Sequence, residues 1–169
     1  MTRDEALSLI RAGSARGKDL RGADLSGAVL ANVDLREARL SHNDLSRANL
    51  AGADLRHAVF DGCNMNGADL SRANCEFAIF GGANLSGANL SHANLKRSNL
   101  VGANGHGAQF DAADLYYARP GNADLSGASF RGANITRAIF RRANLSGADL
   151  RGAEGQANFE NAVLEGVQR

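Results

Sequence analysis

The sequence predicts an all-β solenoid, a chain wound into stacked coils, and three observations support this prediction. An apolar residue returns at every fifth position, and alanine usually stands two positions before it with Asp or Asn between, as in Ala23-Asp24-Leu25. The two residues that follow, such as Ser26-Gly27, are types that favour turns. The first unbroken series of the apolar position is Leu20, Leu25, Leu30, Leu35, Leu40, Leu45, Leu50 and Leu55. A repeat of fixed short period predicts one regular array.

The spacing within a unit separates inward from outward side chains. In an extended segment, residues two apart point to the same side, so Ala23 and Leu25 face inward while Asp24 faces outward. The next alanine is three positions further on, and the intervening pair must therefore turn the chain. An α-helix has about 3.6 residues per turn and would scatter a five-residue period around its surface. We therefore exclude helix for the array.

Composition excludes several classes of protein. The 169 residues include 20 glycines, one proline and no tryptophan, and the formal net charge is +1. Such a balance gives no global field for nucleic acid, a membrane surface or a cationic partner. The start of the chain has no apolar signal region, and no run approaches ~18 apolar residues, so we expect a cytoplasmic protein without a membrane segment. Cys63 and Cys75 fall on inward positions and are expected to be inert buried thiols.

The first residues differ from the array and predict a helical cap. Thr2 followed by Glu5 matches a capping box, and Gly13 is a residue that can end a helix. A helix over residues 3–13 would cover the apolar opening and the free pairing edge of the first coil. We therefore divide the chain into a cap, residues 1–16, and a single β-helix, residues 17–169.

The array resembles the pentapeptide repeat proteins, through A(D/N)LXX units such as Ala23-Asp24-Leu25-Ser26-Gly27 and Ala143-Asn144-Leu145-Ser146-Gly147. The resemblance extends over residues 18–166 and implies a right-handed quadrilateral β-helix with four units per coil. At the strand spacing this gives about seven coils and a length of about 34 Å. Some members of the family mimic DNA, bind type II topoisomerase and confer quinolone resistance. In those members the role implies a strongly acidic surface and a C-terminal dimerisation element, whereas this chain is near neutral.

Three units lack a core side chain at the central position: Gly105, Pro120 and Gly155. We expect local bulges at 105–107 and 119–121, and a functional loop between Gly105 and Pro120 stays open beside a tolerated irregularity. Beyond Gly155 the frame slips by one residue, since Ala157-Asn158-Phe159 comes early. The last coil is expected to be open to a partner, so the protein is either a monomer or an end-to-end homodimer through this coil.

Neither a catalytic nor a metal site is predicted. The many Asp and Asn residues are the repeat itself, and no carboxylate has an apolar pocket that would raise its pKa. The four histidines, at positions 42, 57, 92 and 106, fall on four different sides of a four-sided coil. They therefore cannot converge on one metal ion. We expect no enzyme activity, no cofactor and no metal.

One column of turn residues stands out as a candidate interaction strip. It combines basic and aromatic side chains: Arg36, Arg56, His57, Phe77, Lys96, Arg97, Tyr116, Tyr117 and Arg137. The column is either a solvated edge, with its charges paired to Asp34, Asp54 and Asp114, or a docking strip for an acidic or aromatic partner. Nucleic acid is the weaker alternative because Asp stands beside the basic residues. Val59, Ile79 and Ile139 form a second, interrupted stripe, which is either stacking between coils or a contact patch.

The sequence therefore predicts a non-enzymatic scaffold or regulator that acts through protein–protein interaction, with a protein partner that the residues do not name. Two alternatives stay open. One is a DNA-mimicking topoisomerase (gyrase) inhibitor or protection factor. The other is a self-assembling structural rod.

Overall fold

The coils have four sides, and each side is one five-residue unit. A computed structural model describes all residues, 1–169. One α-helix, α1 (Arg3–Arg11), precedes the coils, in which each side contributes a single parallel β-bridge at its outward residue. Bridged residues such as Asp34 and Asp54 are 20 positions apart, so four units complete one coil. We name the corners by their turn pairs in one coil: corner 1 contains 56–57, corner 2 contains 61–62, corner 3 contains 66–67 and corner 4 contains 71–72.

Every corner except the one after Glu154 is a tight turn whose second residue has a left-handed backbone. At one corner the Ala28 N–H donates to the Leu25 carbonyl at 3.1 Å, and Gly27 between them has φ 61°. A positive φ at the third residue of a four-residue turn is type II geometry. Successive coils are joined by main-chain bonds, such as Leu25 N–H to Asp44 O at 2.8 Å. Most backbone groups of the rod are thus paired without long strands.

The interior is a column of leucine, phenylalanine and alanine side chains, 51 buried apolar residues in all. Aromatic rings stack between coils, as Phe60 does on Phe80 with a centroid distance of 5.2 Å. Both cysteines are buried and free, as the sequence predicts. Burial raises the pKa of Cys63 to about 11 and that of Cys75 to about 12. Neither thiol is therefore a reactive thiolate at neutral pH.

Helix α1 covers the first coil. Its N-cap is Thr2, which forms the predicted capping box with Glu5, and the helix ends at Arg11, two residues earlier than position 13. Ala6 and Ile10 are buried against the coils. Arg3 donates to the carbonyls of Asp24 and Ser26 at 2.7 and 2.9 Å. This helix is too short and too polar to cross a membrane, and it is the only helix of the chain.

Two of the expected irregularities are absent. Gly105 keeps the regular bridges of its unit, from Asn104 to Asn84 and to Asp124, so the bulge predicted at 105–107 is wrong. A Cβ atom at Gly105 would lie 2.8 Å from the Leu125 Cδ2 atom, which indicates that the Leu125 side chain fills the missing volume. Because the coil continues without a loop here, the segment from Gly105 to Pro120 is ordinary β-helix.

Pro120 also keeps its place in the coil, so the bulge predicted at 119–121 is wrong. Proline has no N–H to donate, and the bridge expected between Arg119 and Ile139 is missing. The ladder resumes one coil later, where Ile139 pairs with Asn158. That pair is separated by 19 positions, which confirms the predicted slip of one residue beyond Gly155. Gly155 itself has φ 92°, and a Cβ atom there would lie 2.7 Å from the Thr136 Cα atom.

Replacing Ala112 by glycine is expected to stabilise the protein by about 0.5–1 kcal/mol. Ala112 has φ 54° and is exposed at a corner. A left-handed conformation costs an L-residue about 1–2 kcal/mol, of which the added freedom of glycine in the unfolded chain offsets about 0.4–1 kcal/mol. Urea unfolding measures the change.

Gly82→Ala is the reciprocal control, because Gly82 has φ 59° and open space around it. It is expected to lower the free energy of unfolding by a similar amount. Changes of the same sign in both variants would contradict the strain argument.

Candidate functional site

Corner 1 contains the candidate strip. The turn residues of this corner form two parallel columns of side chains. The first turn residues are Arg36, Arg56, Glu76, Lys96, Tyr116 and Thr136, and the second are Glu37, His57, Phe77, Arg97, Tyr117 and Arg137. Successive members of a column are one coil apart, because they are separated by 20 residues. The two columns behave differently.

The basic side chains of the first column form ion pairs with Asp residues on the adjoining side of the rod. Arg36 forms an ion pair with Asp34 at 2.6 Å, and Arg56 forms one with Asp54 at 2.6 Å. In both cases a second guanidinium nitrogen also donates to the same carboxylate, so the pairs are bidentate. The hydrogen bond from Arg36 lowers the pKa of Asp34 to about 2. Lys96 pairs with Asp114 at 3.1 Å.

The second column stacks along the rod axis. The His57 and Phe77 rings are parallel within 5° with centroids 4.9 Å apart, and the Arg97 guanidinium lies 5.4 Å from the Phe77 centroid. The Arg137 guanidinium lies 5.2 Å from the Tyr117 ring and also donates to its hydroxyl. These distances are those of cation–π contacts. From His57 onward the column thus consists of aromatic and cationic groups in contact.

The second column also carries backbone strain in every coil from Glu37 to Arg137. Its six residues from Glu37 to Arg137 all have φ between 56° and 61°, and none is glycine. At corner 3 the same positions are glycine in every coil except at Arg47. A bulky residue at positive φ is a genuine outlier, and each costs about 1–2 kcal/mol. Corner 1 is therefore the corner at which side chains replace glycine in six consecutive coils, whereas the replacements at the other corners are interrupted by glycine.

The nine predicted strip residues thus separate into three groups. The structure brings His57, Phe77 and Arg97 together in one stack, and Tyr116, Tyr117 and Arg137 in another, in which the two tyrosines meet edge to face at 4.6 Å. Arg36, Arg56 and Lys96 belong instead to the ion pairs of the adjoining side.

The nine predicted strip residues leave out the start of the second column. There Arg16 forms an ion pair with Glu37 at 2.8 Å.

The remaining polar residues do not converge. His57 lies at corner 1, while His42, His92 and His106 lie at three other corners. His106 contacts the Ser126 hydroxyl at 2.9 Å, across one coil. No three His, Cys, Asp or Glu side chains are close enough to hold a metal ion together. The side chains at corner 1 can stack, pair with carboxylates and donate hydrogen bonds, which are the contacts of a binding surface.

Comparison with known proteins identifies the repeats. A family model described as pentapeptide repeats matches residues 19–56, 48–87, 88–119 and 121–154. The right-handed quadrilateral β-helix of that family is the fold of this chain. No protein of curated function matches.

Three solved structures illustrate the similarity. HetL, a protein involved in heterocyst differentiation regulation from the cyanobacterium Nostoc sp. strain PCC 7120, is 27% identical over 99% of this chain and 94% of its own, with a TM-score of 0.46. A protein of the Arabidopsis thaliana thylakoid lumen is 27% identical over 78% and 70%, with a TM-score of 0.44. QnrB1, a plasmid-mediated fluoroquinolone resistance protein, is 20% identical over 99% and 87%, with a TM-score of 0.45.

Proposed function

We propose that this chain, which belongs to the pentapeptide repeat family, is a non-catalytic scaffold or regulator that binds another protein through corner 1. The observation that carries the proposal is the unbroken second column, in which six consecutive coils replace glycine with larger side chains at positive φ. Strain of this kind persists where the side chain has a use that outweighs it. Stability alone would favour glycine at each of these positions.

The chemistry of the second column selects the partner. Phe77 and Tyr117 are 38% and 36% exposed, so their rings remain available although they already contact arginines. Arginine and aromatic residues together are the types that dominate binding energy at interfaces. Arg97 forms no ion pair within the chain, whereas Arg36, Arg56 and Lys96 do. The proposed partner therefore presents carboxylates for the arginines together with an aromatic or otherwise flat apolar group.

Charge ranks this function above a DNA mimic. The Asp34 and Asp54 carboxylates are neutralised by Arg36 and Arg56 beside them, and the formal net charge of the chain is +1. A surface that imitates DNA needs a dense row of uncompensated negative charge, as the phosphate backbone has. Corner 1 instead presents unpaired arginines and would attract acidic surfaces.

The test is the triple variant Phe77→Gly/Arg97→Gly/Tyr117→Gly. All three residues have φ between 56° and 58°, so glycine fits the backbone and the fold is expected to persist. Proteins captured from cell extract by the wild-type chain are identified, and the affinity of the captured partner is then measured by calorimetry. The triple variant is expected to bind that partner at least tenfold more weakly, by about 1.4 kcal/mol or more.

The matched control is Arg47→Gly/Arg72→Gly/His92→Gly, which makes the same backbone change at corners 3 and 4, where φ is between 56° and 59°. It is expected to retain the partner with unchanged affinity. Light scattering checks that the wild type and both variants have the same molecular mass in solution. Equal capture by all three chains would refute the assignment to corner 1.

A further inference from the structure

A second surface, at corner 2, has a notch that is separate from the candidate strip at corner 1. Glycine occupies the first turn position at Gly81 and Gly121, where other coils carry side chains. The cavity beside Gly121 has a volume of about 270 Å³. Its wall includes Val101, Arg119, Ile139, Arg141 and Arg142. Three arginines therefore line one small space.

These arginines lack the local carboxylate that Arg21, Arg36, Arg56 and Arg151 have. Where Asp precedes Arg by two positions, as in Asp54 and Arg56, the pair forms a bidentate ion pair. Ile139 stands in that place before Arg141, so the local carboxylate is missing. Arg141 has one carboxylate nearby, that of Glu160 at 3.4 Å. Arg119 and Arg142 form neither an ion pair nor a side-chain hydrogen bond.

Main-chain donors at the notch are free as well. In most units the outward Asp or Asn accepts a hydrogen bond from the first turn residue, as Asn99 accepts from Val101 N–H at 3.0 Å. The units before Gly121 and Arg141 have Arg119 and Ile139 at the outward position, and neither side chain can accept such a bond. The N–H groups of Gly121 and Arg141 have no acceptor in the chain. Unpaired donors of this kind favour an anion.

The net charge of the residues at the notch indicates the charge of the anion that would neutralise it. Three arginines contribute +3 and Glu160 contributes −1, which leaves a net +2, and the other lining residues are neutral. A phosphate monoester carries about −1.5 to −2 at pH 7, with three acceptor oxygens. Arginine is also the residue suited to bidentate recognition of phosphate. The exposed side chains of Val101 and Ile139 add an apolar wall next to the charge.

We propose that the notch at corner 2 binds a phosphate monoester, with Arg119, Arg141 and Arg142 and the Gly121 N–H on the phosphate and the apolar wall against the rest of the ligand. The cavity is slightly smaller than the roughly 300–1,000 Å³ of sites for drug-sized molecules, so the ligand is small. This site is independent of the protein partner at corner 1.

The experiment titrates the full chain at pH 7.5 and constant ionic strength with inorganic phosphate, phenyl phosphate and benzoate. Calorimetry gives the affinities, and amide chemical shifts locate the site. Phenyl phosphate is expected to bind more tightly than inorganic phosphate, and benzoate more weakly than both. The Gly121 and Arg142 amides are expected to shift in a saturable way.

The variant Arg119→Gln/Arg142→Asn is expected to lower the affinity for phenyl phosphate at least tenfold. The control variant Arg47→Asn/Arg72→Asn removes the same charge at other corners, where the φ values of 56° and 58° match the 59° of Arg142. This control is expected to bind phenyl phosphate with unchanged affinity. Equal losses in both variants, or no saturable shift at Gly121 in the wild type, would overturn the site. Equal affinity for phenyl phosphate and inorganic phosphate would overturn the role of the apolar wall.

Discussion

Replacing Phe130 by alanine is expected to lower the free energy of unfolding by about 3–5 kcal/mol, the usual cost of removing a buried aromatic ring. Phe130 is fully buried between two other rings. It stacks on Phe110 with centroids 4.7 Å apart and meets Phe140 edge to face at 5.7 Å. The coils on either side are held by bonds such as Phe130 N–H to Asp149 O at 2.7 Å. Because these bonds fix the coil spacing, the cavity cannot close by collapse.

Phe77→Ala is the matched control for Phe130→Ala. Phe77 also stacks between coils, but on the surface, and alanine retains the same backbone strain because both residues carry a Cβ atom. Its loss is expected to be below about 1 kcal/mol, within the range for an exposed aromatic pair. Urea unfolding gives both values, and hydrogen exchange should place the Phe130→Ala effect in the neighbouring coils. A Phe130→Ala loss no larger than that of Phe77→Ala would contradict the argument.

The fold was predictable because a five-residue period assigns nearly every residue to an inward, outward or turn position. Ala23 and Leu25 had to face inward once Asp24 faced outward, and the structure buries both and exposes Asp24. The failures were at positions where only three-dimensional packing decides. Gly105 lacks a side chain, but the Leu125 side chain, one coil further on, takes up the space. Pro120 loses one hydrogen bond, and the bonds of adjacent units hold its coil in register.

The candidate site was predictable as a column but not as two columns. The ion pair of Arg36 with Asp34 is a local contact between residues two apart, and it withdraws the arginine from the corner. The stack of His57 on Phe77 is a contact between residues 20 apart. Composition treated these residues alike, because all are basic or aromatic. What separates the arginines is whether an Asp stands two positions before them, and what separates the other residues is their position in the turn.

The same rule explains why corner 2 was overlooked. By its position alone, Arg141 is an ordinary turn arginine. The difference is that Ile139, and not an Asp, stands two positions before it. An isoleucine in the outward stripe therefore has two effects. It extends the apolar surface of that side, and it leaves the following arginine and its N–H without a local acceptor. Departures from the outward Asp or Asn are thus the positions where this kind of rod can acquire binding groups.

Replacing Asn43 by alanine is expected to destabilise the protein by about 2 kcal/mol, although alanine is the consensus residue at its position. Asn43 is 3% exposed. Its amide donates to the Leu20 carbonyl at 2.8 Å and accepts from the Gly22 N–H at 2.8 Å. These two bonds join the first two coils where the regular bond from Gly22 to the next coil is missing. Alanine removes both bonds: the Gly22 N–H loses its acceptor, and the Leu20 carbonyl keeps only the long bond from the Ala23 N–H at 3.4 Å. An unpaired buried group costs about 1–3 kcal/mol, less where water reaches it.

Ser98→Ala is the control for Asn43→Ala. Ser98 is also a buried polar residue at an alanine position, but its hydroxyl donates only to the Leu95 carbonyl, at 2.7 Å. That carbonyl also accepts from the Ser98 N–H at 3.1 Å, so it stays paired after the substitution. The expected loss is therefore below about 1 kcal/mol. Urea unfolding compares the two variants, and faster exchange of the Gly22 amide identifies the broken contact. A neutral or stabilising Asn43→Ala would mean that the consensus, rather than the bond between coils, determines stability there.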